Sequence, residues 1–130
     1  MSKIAWIEDD HDEISSLVRL LELDGYEIPR YRTRSEADKF VEEIVSCDAI
    51  ILDIILPPIV EDDPHQGLSI LKTLREQYAY NKPIVVCTVV RAPGIIEKLR
   101  KLGVLDEYIL HKPVRPSVLT ATVKKALGHE

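Results

Sequence analysis

Four short apolar runs punctuate the chain: Ile4–Ile7, Ala49–Leu52, Ile84–Cys87 and Val104–Leu110, the last interrupted by Asp106 and Glu107. They are rich in Ile and Val and lack strict alternation, which predicts strands buried on both faces of a parallel sheet. A fifth segment, Tyr26–Tyr31, is more polar and contains Pro29. Proline has no N–H for a central ladder, so this strand belongs at an edge. Helical spacing fills the intervals. Ile14, Leu17, Val18 and Leu21 repeat at i, i+3, i+4 and i+7 and stop at Asp24-Gly25. Thr33 and Glu36 have capping-box spacing ahead of Ala37, Phe40, Val41 and Ile44, predicting one helix. A third helix begins near Gln66 with Leu68, Leu71 and Leu74. A fourth covers Ile95–Leu102, and a fifth opens at Pro116 with Leu119, Val123 and Leu127 on one stripe.

Strand and helix alternate five times with no repeat, linker or composition break, so residues 1–130 read as one α/β domain. Short β-α spacing implies right-handed crossovers and one doubly wound five-stranded parallel sheet, (βα)5, with helices on both faces. Composition agrees: 45% hydrophobic and 30% charged is ordinary for a chain with a real core. Seventeen bases against 22 acids give a net charge of −5. That excess argues against direct nucleic-acid binding by the domain, and Arg30, Arg32 and Arg34 read as solvated arginines of an edge strand. No apolar run is long enough to span a bilayer or to serve as a secretory leader, so a cytoplasmic setting without membrane contact is expected. Cys47 and Cys87 lack metal or redox spacing and read as reduced, buried fillers. Trp6 reads as a core group.

The chemistry lies in where the acids fall. In doubly wound sheets the working site sits at the carboxyl ends of the strands. The first strand ends in Glu8-Asp9-Asp10, the third in Asp53, the fourth in Thr88, and the fifth is followed by Lys112. Carboxylates gathered on one rim repel one another unless a cation joins them, and hard oxygen ligands suit Mg²⁺.

These segments together resemble the receiver domain of two-component response regulators, across residues 3–127. Ile-Glu-Asp-Asp (7–10) looks like the acidic pair after strand one, and Leu-Asp-Ile-Ile-Leu-Pro (52–57) like the phosphoacceptor segment. Thr88 closes strand four, and His-Lys-Pro (111–113) matches the lysine-proline pair after strand five. The resemblance implies a flavodoxin-like sheet with strand order 2-1-3-4-5. It implies Asp53 as the phosphoacceptor for a histidine kinase or phosphotransfer protein, in a non-enzyme that can take part in its own phosphotransfer and autodephosphorylation. Mg²⁺ would be held by Asp9 directly, by Glu8 through water, by Asp53 and by the backbone carbonyl of Ile55, with Asp10 a competing ligand. Lys112 would pair with Asp53 and then with a phosphoryl oxygen, and Thr88 would bond another. Pro113 would follow a cis peptide. The face of the fourth helix, fifth strand and fifth helix would switch through Thr88 and Tyr108 and report to a downstream output protein or domain. A homodimer is among the assemblies such domains form.

Three departures stand out. An acidic insert at about residues 58–66 separates Pro57 from Gly67. Val89 follows Thr88 where a very small residue is usual. The switch aromatic's usual position holds Ile109, so Tyr108 takes that role only if a bulge in strand five restores it. These keep a second reading open, a receiver-like interaction module that works without phosphorylation.

Overall fold

The computed structural model describes residues 2–56 and 65–129. Its strands are β1 (Ile4–Ile7), β2 (Arg30–Tyr31), β3 (Ala49–Leu52), β4 (Ile84–Thr88) and β5 (Ile109–His111), all parallel, in the order β2-β1-β3-β4-β5. The helices are α1 (His11–Leu23), α2 (Arg34–Lys39), α3 (Val41–Val45), α4 (Gln66–Glu76), α5 (Pro93–Lys101) and α6 (Pro116–Leu127).

Every residue of β1, β3 and β4 is buried, because each strand is covered on both sides. Ala5, Ile7, Ile50, Leu52 and Val86 point into one core, closed by Ala37, Ile44, Ile70, Leu71, Leu74 and Leu99. Ile4, Trp6, Ala49, Ile51, Val85 and Cys87 point into the other, against Ile14, Val18, Leu21, Leu119 and Val123. Two apolar faces per strand are what the unalternating runs require. Each such Ile or Leu removed from water contributes about 1.5–3 kcal/mol.

β2 is the edge strand. It is short because Pro29 can only accept: its carbonyl takes the Trp6 N–H at 2.9 Å. Arg30 and Arg32 on this edge are exposed, whereas Arg34 is half-buried and donates to Gln66 Oε1 at 2.9 Å.

Two expected elements differ. The second helix is broken at Phe40, whose φ of −106° and ψ of 24° lie off the helical values, leaving α2 and α3. The aromatic residue followed by β-branched Val41 is a weak helix site, and the break sets the Phe40 ring 6.0 Å from that of Tyr31. The expected fourth and fifth helices are therefore α5 and α6. Thr33 caps α2 by accepting the Glu36 N–H at 3.0 Å, but the Glu36 carboxylate reaches the N–H of Arg32. The second change is in strand five, which shrinks from Val104–Leu110 to three residues. Asp106 and Glu107 turn outward in a 3-10 helix, Asp106–Tyr108, where Arg100 and Lys125 bind them. Two carboxylates could not have remained inside a buried strand.

Candidate functional site

Ladder bonds bring the strand ends together. The Asp53 N–H donates to the Ile7 carbonyl at 3.0 Å, setting Glu8 beside Asp53. Thr88 lies opposite His111, and the Lys112 N–H donates to the Thr88 carbonyl at 2.9 Å. Four elements of widely separated sequence thus end at one rim. The Lys112–Pro113 bond is cis, as expected.

On that rim, ligand oxygens of Glu8, Asp9 and Asp53 lie within 4.8 Å of one another. Glu8 and Asp53 are buried and Asp9 is exposed. Lys112 Nζ donates to Asp53 Oδ2 at 2.9 Å and also to Glu8 Oε1. The other Asp53 oxygen, Oδ1, accepts the Ile55 N–H at 3.1 Å, so both carboxylate oxygens are oriented. Asp10 is exposed and stands outside this cluster, its carbonyl accepting the Ile14 N–H in the first turn of α1. The contact between Glu8 and Lys112 escaped the sequence reading, which gave the lysine to Asp53 alone. Its only sequence signal is an acid directly prolonging an all-apolar strand.

Burial pushes the Glu8 carboxyl up to about 8, and the Asp53 hydrogen bond and charge add to the rise while Lys112 opposes it. Burial works against the Lys112 charge too, but its bonds to Glu8 and Asp53 outweigh that and hold the ammonium above its ordinary range. Two buried carboxylates against one ammonium leave an excess negative charge. A proton or a cation must compensate it. Glu8 Oε2 is buried without a hydrogen-bond partner. An orphan oxygen in an all-oxygen donor set fits a hard divalent ion.

Thr88 is fully buried, and its Oγ1 accepts the Val90 N–H at 3.2 Å. Its own hydroxyl hydrogen remains available to donate. Val89, where a very small residue is usual, is 58% exposed. Residues 57–64, which hold most of the acidic insert, lie outside the described residues; His65 precedes α4 and Gln66 opens it. Gly67 packs against the Asp53 backbone, its N–H donating to the Ile54 carbonyl at 2.8 Å. The glycine therefore keeps its place beside Asp53 despite the long insertion before it.

The pairing of β5 runs without a bulge, Val86 to Ile109, Cys87 to Leu110 and Thr88 to His111. The bulge that would have returned Tyr108 to the usual switch position is absent. Tyr108 ends the 3-10 helix, half-buried against both cores, and Ile109 lines a small cavity with Ile96 and Arg100.

A family model described as the response regulator receiver domain matches residues 4–124. The chain belongs to that family. This receiver domain is 35% identical over 129 residues to the regulatory protein VanR of Enterococcus faecium, covering 98% of the chain and 51% of that protein. It spans about half the length of the curated relatives it matches. The crystal structure of a two-component response regulator from Clostridium difficile is 29% identical with a TM-score of 0.80, covering 98% of this chain and 97% of that one. A CheY-like receiver protein from Methanospirillum hungatei JF-1 has a TM-score of 0.83 at 22% identity, with 98% and 94% coverage, a likeness of fold alone. Among the described residues of this receiver, no helix is long and apolar enough to cross a membrane.

Proposed function

We propose that this receiver accepts a phosphoryl group on Asp53 from the phosphohistidine of a histidine kinase or phosphotransfer protein. The signal then passes to a downstream output protein or domain through the face of α5, β5 and α6. The supporting observation is the convergence of Asp53, its 2.9 Å Lys112 partner and two further acids on one rim.

In this reading a carboxylate oxygen of Asp53 attacks phosphorus as the P–N bond breaks, and the imidazole leaves with the bonding electrons and takes up a proton. Phosphoryl transfer asks a protein mainly for alignment and positive charge. The Ile55 N–H and Lys112 align the Asp53 carboxylate beforehand, and Lys112 then pairs with a phosphoryl oxygen. The Thr88 hydroxyl bonds another. Glu8, Asp9, Asp53 and the Ile55 carbonyl would hold Mg²⁺, which when bound supplies charge to offset that of the phosphoryl oxygens. Asp53 exchanges one negative charge for nearly two, and Thr88 and Lys112 are drawn toward it. Turning a mostly off population mostly on takes about 5.5 kcal/mol, which a few charge-assisted bonds of roughly 1.5–3 kcal/mol each can supply.

Incubation with acetyl phosphate and Mg²⁺ tests this. One phosphoryl group is expected, mapped to Asp53 by intact mass and peptide analysis and absent from Asp53→Asn. An unlabelled chain, under conditions that label a control receiver, would leave the phosphorylation-independent interaction module.

A further inference from the structure

A second feature stands apart from the acidic rim. Between α4 and α5 runs a groove of about 430 Å³. One wall is a single stripe of α4, with His65 at its start, then Leu68, then Lys72. The other wall is the last turn of α5, with Lys98, Lys101 and the adjoining Leu102. The three lysines are exposed and the leucines half-buried between them, so an apolar floor is bordered by positive charge. In a chain of net charge −5 this concentration of one sign is local.

None of the three lysines has an ion-pair partner among the described residues. The acid nearest them on α5, Glu97, pairs instead with Arg100, which faces the cavity on the β5 side. Lys98 and Lys101 complement the carboxyl end of the α5 dipole. That accounts for neither Lys72, in the middle of α4, nor the apolar floor all three share. The far end of the groove is held rigidly: Arg75 Nε donates to the Leu102 carbonyl at 2.9 Å, and its Nη1 to the carbonyls of Tyr80 and Lys82. Arg75 thus ties the end of α5 to α4 and to the loop that follows it, at this end of the groove. The α4 stripe from His65 to Lys72 is about 10 Å long, enough for about two helical turns of a docked segment.

We infer that the α4–α5 groove docks an acidic amphipathic helix of a partner protein, with apolar side chains on Leu68 and Leu102 and carboxylates on Lys72, Lys98 and Lys101. Helix-in-groove recognition seats the apolar face of an amphipathic helix in such a seam, and a positive border is complementary to acids flanking that face. Long-range attraction steers the encounter, and the seam supplies the affinity. The groove uses none of the residues gathered around Asp53.

The test is selection of a random peptide display library on the full chain, with counter-selection on the triple variant K72E/K98E/K101E. Circular dichroism first establishes that the variant folds. Enriched peptides are expected to be acidic, with apolar residues paired at i and i+3 or i+4. They should bind the triple variant about tenfold or more weakly and should weaken as salt rises. Amide shifts on peptide binding should centre on Leu68, Lys72, Lys98 and Lys101. Basic or uncharged winners, or winners that bind the triple variant equally, would overturn the inference. So would stronger competition by pyrophosphate or a DNA oligonucleotide than by an acidic peptide, which would assign the groove to phosphate ligands. Self-association abolished by the triple variant would assign it to a second copy of the chain.

Discussion

Gly67 leaves no room for a side chain against Asp53: a Cβ at residue 67 would lie 1.9 Å from the Asp53 carbonyl oxygen and 2.7 Å from Ile54 Cα. The obstruction is backbone, so no side-chain rotation relieves it. Gly67→Ala is expected to destabilise the domain by about 1–3 kcal/mol or more, or to push α4 away from the loop that carries Asp53. Urea denaturation reads the first effect. The rate of labelling by acetyl phosphate reads the second, and a variant equal to the parent in both would show that the close approach is unnecessary.

Lys112 is the counter-charge for two buried carboxylates, and its side chain is itself largely buried. Removing one member of a buried ionic group costs about 3–5 kcal/mol, because its partners stay desolvated. Lys112→Met should therefore lose stability, and lose more of it at pH 8.5 than at pH 6. Protonation of Glu8 relieves the uncompensated charge at the lower pH. Chemical denaturation of both proteins at both pH values checks the difference, and a loss independent of pH would contradict it.

Glu8 should make the metal-free domain pH-sensitive. Its folded carboxyl is raised from 4.5 to about 8, chiefly by burial. Between those values the folded state holds a proton that the unfolded chain has lost. Its contribution to stability is thus complete below about pH 4.5 and fades as pH climbs through about 8. Glu8→Gln, neutral throughout, should flatten this part of the stability profile. Mg²⁺ competes with the same proton, so Mg²⁺ binding by the parent should tighten as pH rises toward 8 and release a proton below it. Isothermal titration in buffers of different ionisation enthalpy counts that proton.

The cysteines should be inert in the folded chain. Burial pushes the Cys87 thiol up to about 12 and raises that of Cys47, leaving little thiolate at pH 8, and the thiolate is the reactive species. Ellman's reagent is expected to find neither thiol in the native protein and both in denaturant. Fast reaction of the native protein would mean that the core around β4 opens readily.

The sequence by itself determined the elements whose cause is local. Ile4–Ile7, Ala49–Leu52 and Ile84–Thr88 are strands because an unbroken apolar run needs cover on both faces, and β2 is an edge because Pro29 cannot donate. Once those strands are parallel, Asp53, Thr88 and Lys112 reach one rim as a matter of connectivity, so the outline of the site was legible as well. Tertiary structure decided what depends on partners far along the chain. Glu8 meets Lys112 across 104 positions and Asp53 meets it across 59. No local pattern encodes how one ammonium divides itself between two acids. Strand five shortened because Arg100 and Lys125 draw Asp106 and Glu107 outward, and its unbroken register placed Ile109 where a bulge would have set Tyr108. The lysine-edged groove exists only because two helices, separated by β4 in the chain, lie side by side on one face of the sheet. Periodicity is a property of neighbouring residues, whereas charge balance and close approach are properties of the packed whole.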